Sequence, residues 1–147
     1  MITSIAFSTV WVLDQETALR FYTEKLGFEV RQDVQMGPGA RFITVGPKGD
    51  EAQFALMTPS APALDPESAQ QLKALIAKGV LGAAALSTDD CRATYEELTA
   101  KGVEFIHEPA ERPYGIEAIF RDDSGNWFSL TQPRDELDTS IPWDGDC

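Results

Sequence analysis

The chain repeats itself, and that repeat limits what it can fold into more than any other feature. Asp14 precedes a segment in which Ala18, Leu19, Tyr22 and Leu26 recur at helical spacing and which stops at Gly27. Asp89 precedes a second segment containing Ala93, Tyr95, Leu98 and Ala100, which stops at Gly102. Both the Asp pair and the Gly pair are offset by 75 positions. Asp caps a helix start and Gly suits the residue just past a helix end, so each segment reads as a bounded helix. A duplicated unit is the first organising fact to extract from a chain.

Strand signals surround each helix in the same order. Ile2 to Val12 is rich in β-branched and aromatic residues, as a buried strand should be. Phe28 to Val34, Arg41 to Val45 and Gln53 to Met57 follow the first helix, separated by turns at Gly37-Pro38-Gly39 and Pro47 to Asp50. In the second half, Ala83 to Thr88 precedes the helix. Val103 to His107 follows it, then a proline-marked loop through Pro113 and a hairpin of Ile116 to Arg121 with Trp127 to Thr131 around Asp122-Asp123-Ser124-Gly125-Asn126.

The fold class expected is therefore α+β, with two tandem βαβββ modules. The boundaries read as a first module over 1–58, a linker with a helix over 59–80, a second module over 81–133 and an acidic tail over 134–147. Within the linker, Asp65 caps a helix, Pro66 suits its first turn, and Leu72 and Leu75 share a face up to Lys78. The tail has no clear period and reads as a frayed end, although Ile141-Pro142-Trp143 is apolar enough to dock on the body or on a second subunit.

Charge and cysteine content narrow the partners. Twelve Lys and Arg against 24 Asp and Glu give a net charge of −12. Such a surface repels the phosphates of nucleic acid and anionic lipid headgroups, so no nucleic acid and no membrane is expected as a partner, whereas a cationic small molecule is attracted. No apolar run spans a bilayer and no basic-then-apolar leader opens the chain, which points to the cytoplasm. Two cysteines, Cys91 and Cys147, are too few for a disulfide framework and read as reduced thiols. Cys91 lies just after a helix N-cap with Arg92 beside it, but no His is near in sequence to act as its base, so it reads as inert.

Val12-Leu13-Asp14 with Phe21-Tyr22-Thr23-Glu24-Lys25-Leu26-Gly27-Phe28 resembles the opening of the vicinal oxygen chelate superfamily, which includes glyoxalase I, extradiol dioxygenases, fosfomycin resistance enzymes and bleomycin resistance proteins. Ala85 to Asp90, Lys101-Gly102-Val103 and the Asp122 to Asn126 turn agree, and the likeness covers residues 2 to 133. The resemblance implies that the modules form a curved mixed sheet around a cleft (the glyoxalase/bleomycin resistance fold). It also implies that catalytic members hold a divalent metal with His and Glu from four strands. Fitting the motifs puts those positions at Phe7, at or near Ala55, at Ala83 and at Ser129. Such a metal needs imidazole, carboxylate or thiolate donors, which these residues lack, so no metal and no cofactor is expected. The single histidine, His107, lies on the strand after the second helix and reads as structural.

Strand alternation then suggests the lining of the cleft. Phe7, Thr9 and Trp11 face it if Val10 and Val12 face the first helix, and Gln53, Ala55 and Met57 share their parity. Ala83, Ala85 and Ser87 contribute from the second half, with Trp127, Ser129 and Thr131. Glu117, Ile119 and Arg121 belong to the facing strand, and Tyr114 reads as an aromatic lid. Glu117 and Arg121 read as charges on a solvated rim, with an acid–base pair as the other possibility. An aromatic wall opposite small residues suits a flat organic ligand. The expected function is binding of an aromatic, cationic small molecule without metal, as in drug-binding resistance proteins, by a chain that forms a homodimer as family members do. The alternatives are a metal-independent isomerase or lyase using Glu117 or Tyr114, a scaffold whose cleft is filled by Phe7, Trp11 and Trp127, and last a metal-dependent glyoxalase or dioxygenase.

Overall fold

The computed structural model describes residues 1–143. Its element order is β1 (Ser8–Trp11), α1 (Gln15–Arg20), β2 (Glu29–Gly37), β3 (Ala40–Gly46), β4 (Phe54–Met57), α2 (Pro66–Lys78), β5 (Gly82–Ser87), α3 (Cys91–Ala100), β6 (Phe105–Arg112), β7 (Gly115–Arg121) and β8 (Trp127–Pro133). The strands form two four-stranded mixed sheets, ordered β1-β4-β3-β2 and β5-β8-β7-β6. In each, the first strand pairs in parallel with the last, and the other ladders are antiparallel. The α+β class and the twofold βαβββ order expected from the sequence are both present. The described residues divide into two compact units, Met1–Val80 with Asp123–Gly125, and Leu81–Asp122 with 126–143.

The repeat is visible at atomic level within each unit. Asp14 accepts the Thr17 N–H at 2.8 Å, and Asp90 accepts the Ala93 N–H at 2.9 Å. Of the Asp89-Asp90 pair, the second is thus the cap. Gly27 and Gly102 follow the two helices at φ 73° and 84°, a conformation that side chains with a Cβ avoid. One difference separates the copies: α1 runs on as a π-helical turn over Phe21–Lys25, whereas α3 is regular.

In the first unit the helix-facing side of the sheet is packed by Val10, Val12, Ile43, Val45 and Leu56 against Ala18 and Tyr22. In the second, Ala118, Phe120, Phe128 and Leu130 supply that side with Leu98, and the rings of Phe120 and Phe128, cross-strand partners, stack at 5.4 Å. Burial of these side chains is the main source of stability for a sheet covered on one face. It also fixes register, since a slip of one residue would turn the apolar set outward.

Several boundaries differ from the sequence reading. Strand β1 starts only at Ser8, leaving Ile2 and Ile5 exposed, because β-branched residues favour a strand only where a partner is present. Strand β6 continues to Arg112 through Pro109, where a loop was expected. It is an edge strand, and its register shifts between His107 and Ala110, which accommodates a residue with no N–H to donate. In α2 the buried positions are Ala69 and Ile76 rather than Leu72 and Leu75, the latter being exposed. The tail is not frayed as far as Ile141: Arg134 N–H donates to Tyr114 O, Asp138 N–H to Pro113 O and Ile141 N–H to Asp138 O. Cys147, expected to be a reduced thiol, lies outside the described residues. No described helix is long and apolar enough to cross a membrane.

Candidate functional site

The second sheet shows how sequence places chemistry on one face. Phe128 and Leu130 point to the helix, so Trp127, Ser129 and Thr131 point to the other side. In β7, Ala118 and Phe120 take the helix side, which leaves Glu117 and Ile119 beside them. The register sets Glu117 opposite Thr131, Ile119 opposite Ser129 and Arg121 opposite Trp127. Edge strand β5 pairs Gly82 with Trp127, Ala85 with Ser129 and Ser87 with Thr131, with an irregularity between Gly82 and Ala84. With that extra residue, Gly82 stands against the Trp127 ring while Ala83 and Ala85 also line the groove. A Cβ added at Gly82 would lie 2.4 Å from that ring.

These residues form an open groove of about 820 Å³. Ala83, Ala84 and Ala85 line one side, Tyr114, Trp127 and Trp143 supply aromatic surface, and Glu117, Ser129 and Thr131 supply polar atoms. Of the positions expected from the sequence in this unit, Ala83, Ala85, Tyr114, Glu117, Trp127 and Ser129 all line the groove. Arg121 is absent from its lining; its guanidinium is turned to Glu104 at 3.0 Å. Trp143 was named for the tail but not for the groove, and it remains 64% exposed. The apolar Ile141-Pro142-Trp143 stretch was read as able to dock on the body, without a place for it.

Glu117 is the centre of the polar cluster. Read as a solvated rim charge, it is in fact only 7% exposed. Its Oε1 accepts the Tyr114 hydroxyl at 2.7 Å and its Oε2 accepts the Ser129 hydroxyl at 2.5 Å. Ser129 and Thr131 hydroxyls are 2.9 Å apart. The cation near Glu117 is Arg112, with Nε 3.9 Å from Oε1, and not Arg121. A buried carboxylate is tolerated when it is paired and hydrogen-bonded, as here. The Tyr114 hydroxyl, in the turn between β6 and β7, is thus tied to Glu117 at the groove wall.

The expected residues of the first unit share one face of its own sheet. Thr9 pairs with Ala55, Trp11 with Met57, and Thr44 with Ala55, so Phe7, Thr9, Trp11, Gln53, Ala55 and Met57 lie on the side away from α1. Phe7 packs edge-on against Phe42 at 5.6 Å, and Gln53 Nε2 donates to Ala6 O at 2.9 Å. Ala55 is fully buried, whereas Thr9 is exposed.

Other reactive groups lie elsewhere. Cys91 is buried at the start of α3, its N–H donating to Gln132 Oε1 and its thiol to Leu130 O at 3.4 Å. Burial pushes its thiol pKa up, against smaller lowering effects of the backbone at Ala118 and of the Arg92 charge. His107 is half-buried in β6 opposite Ile119. Among the described residues no three His, Cys, Asp or Glu side chains come together as a metal-holding group. The resemblance puts metal ligands at Phe7, at or near Ala55, at Ala83 and at Ser129, and of these four side chains only Ser129 carries a donor atom, its hydroxyl bound to Glu117. These residues do not fit a divalent metal.

Comparison with known proteins agrees with the geometry. Residues 4–130 match the family model of the Glyoxalase/Bleomycin resistance protein/Dioxygenase superfamily. YetH of Bacillus subtilis strain 168 is 35% identical over 132 residues, spanning 90% of this chain and all of that protein. The crystal structure of UcmS2 superposes with a TM-score of 0.83 at 50% identity, covering 89% of this chain and 98% of that one. TnmS3, an antibiotic binding protein from Streptomyces sp. CB03234, superposes with a TM-score of 0.72 at 33% identity, covering 90% and 98%. With the twofold βαβββ order, the two mixed sheets and a family match over most of its length, the chain belongs to the Glyoxalase/Bleomycin resistance protein/Dioxygenase superfamily.

Proposed function

We propose that the chain binds a small, flat aromatic molecule in the groove of its second unit, without a metal, as a drug-binding protein of the resistance type. The observation that carries this reading is the pairing of three successive alanines, Ala83 to Ala85, with the Trp127, Tyr114 and Trp143 side chains around one groove. Small residues leave room for a planar ring, and the aromatics offer faces to stack on. The net charge of −12 favours a cationic ligand by long-range attraction. The likeness to TnmS3, an antibiotic binding protein, supports the same class of role.

The reading extends to a homodimer. Val34 and Met36 of β2 are 46% and 71% exposed on the first unit, apolar surface of the kind that a second copy covers. Light scattering on the purified chain tests this directly, with twice the 16.1 kDa mass expected.

A thermal-shift screen tests the ligand class. A ligand at a hundredfold excess over its Kd adds roughly 2.7 kcal/mol of stability, enough to move the midpoint visibly. A shift with flat aromatic or cationic aromatic compounds, and none with Ni²⁺, Zn²⁺ or Fe²⁺, is the expected result. A chelator-reversible shift with metal alone contradicts it.

The buried Glu117, bonded to Tyr114 within the groove, also favours a second reading as a metal-independent isomerase or lyase. A general base must reach the proton that it removes. Turnover of a bound compound that is abolished by Glu117→Gln distinguishes this reading from sequestration.

A further inference from the structure

We propose that the groove holds its ligand in one orientation along β8, with a flat ring beside Gly82 and Trp127 and a hydroxylated head beside Ser87 and Thr131. The ligand is then an elongated aromatic of the aryl glycoside kind. The proposal rests on the aromatic-binding reading above and specifies the ligand class within it. Its basis is the uneven placement of polar side chains along the strands.

The register divides the groove into rows that cross the strands, and side chains directly opposite one another share a face and stand within contact distance. At one end Gly82 stands opposite Trp127, with Ala83 and Ala84 adjoining. In the middle, Ala85, Ser129 and Ile119 form a row across β5, β8 and β7. At the other end Ser87, Thr131 and Glu117 form the next row. Trp143 adds an indole from the tail, outside these rows.

The two end rows differ in chemistry. Beside Gly82 the side chains offer the Trp127 indole, with its single N–H, and the methyl groups of Ala83 and Ala84. The Ser87 row offers two hydroxyls and a carboxylate, and the Tyr114 and Ser129 hydroxyls join it through Glu117 at 2.7 and 2.5 Å. Ser87 is exposed and Thr131 half-buried, so both hydroxyls are open to the groove. A hydroxyl both donates and accepts, and a cluster of them beside a carboxylate matches a head that carries several hydroxyls of its own. Trp127 and Thr131 are four residues apart on β8, which separates the two ends by about 13 Å. A naphthalene-sized ring alone reaches one end, whereas a ring extended by a hydroxylated substituent reaches both. A few polar groups set at one end of an apolar site fix which way round a ligand lies.

The test compares 2-naphthol with 2-naphthyl β-D-glucopyranoside, which share the ring system and differ in the hydroxylated head, by equilibrium dialysis against the intact protein. The native chain is expected to bind the glucoside roughly tenfold more tightly, the gain that about two added hydrogen bonds would give. Ser87→Ala and Thr131→Val each remove one hydroxyl from the polar row and should cut the preference to about threefold. Ser87 is exposed on edge strand β5, so its variant serves where Thr131→Val does not fold. Equal or weaker binding of the glucoside by the native chain, or a preference unchanged in the folded variants, overturns the oriented, hydroxylated ligand and leaves aromatic binding standing. Saturable binding of neither probe overturns the aromatic-binding reading and this inference with it.

Discussion

The Ser129 hydroxyl donates to Glu117 Oε2 across the β7–β8 ladder at 2.5 Å, although the two residues are diagonal neighbours rather than direct partners. This contact ties the last strand to the centre of the second sheet on its open face. It also converts a residue type usually found in solvent into a buried element of the groove. Much of what the chain can be expected to do follows from that carboxylate.

Removal of the carboxylate should cost stability as well as binding. Glu117→Ala leaves the Tyr114 and Ser129 hydroxyls without their acceptor, and is expected to destabilise by about 1–3 kcal/mol in urea unfolding. Ser129→Ala, which keeps Tyr114 on Glu117, should cost less. A larger loss for the serine variant would show that Glu117 does not organise the wall.

Gly82 makes room for an aromatic face. Gly82→Ala puts a Cβ at 2.4 Å from the Trp127 ring, which must move. The variant is expected to alter Trp127 fluorescence and weaken aromatic binding severalfold while the fold is retained. Unchanged emission and affinity would mean that this ring does not contribute to binding.

The cap of α2 makes an acid-sensitive contribution to stability. The Ser68 hydroxyl and N–H hold the Asp65 carboxyl below its ordinary 3.8. A depressed folded-state pKa gives a contribution that is present above the ordinary value and is lost as pH falls through the lower one. Asp65→Ala should therefore lower Tm by about 2 to 4 °C at neutral pH, with the difference shrinking below pH 3.8. Thermal melts from pH 7 to pH 2 check this; a difference that persists undiminished at pH 2 argues against the ionised cap.

Cys91 should be chemically silent. Burial raises its pKa and its thiol donates to Leu130 O, so little thiolate is present or reachable. In a Cys147→Ser background, iodoacetamide at pH 8 is expected to label the chain only after denaturant is added. Rapid labelling of the folded protein would place Cys91 among the reactive thiols.

Helix caps, strand order and the groove wall were legible because they depend on local chemistry and parity. Asp14 and Asp65 each cap where a short acidic side chain precedes an apolar period, while the second copy caps at Asp90, one residue past the Asp89 that the offset picks out; Ala85, Trp127 and Ser129 line the groove on the parity of their strands. The misreadings share a cause, which is dependence on side-chain contacts that strand parity does not encode. Arg121 has the right parity but finds Glu104, seventeen residues away. Glu117 looks like a rim charge until Tyr114, Ser129 and Arg112 are brought to it. The irregularity in β5 shifts Gly82 onto Trp127 without leaving a mark in the alternation of Ala83 and Ala85. Trp143 has no periodic context, so the apolar Ile141-Pro142-Trp143 stretch could be read as a docking segment but not placed at the groove.

The central claim is that a flat aromatic molecule occupies the groove of the second unit, and the indole N–H signal of Trp127 reports on it most directly. Titration of ¹⁵N-labelled protein with 2-naphthol, with the signal assigned through Trp127→Phe, should give a saturable shift of that resonance. The amides of Ala83 to Ala85 should move with the same apparent Kd. Saturable shifts confined to Trp11 and the first sheet, or no saturable shift at Trp127 at all, would contradict it.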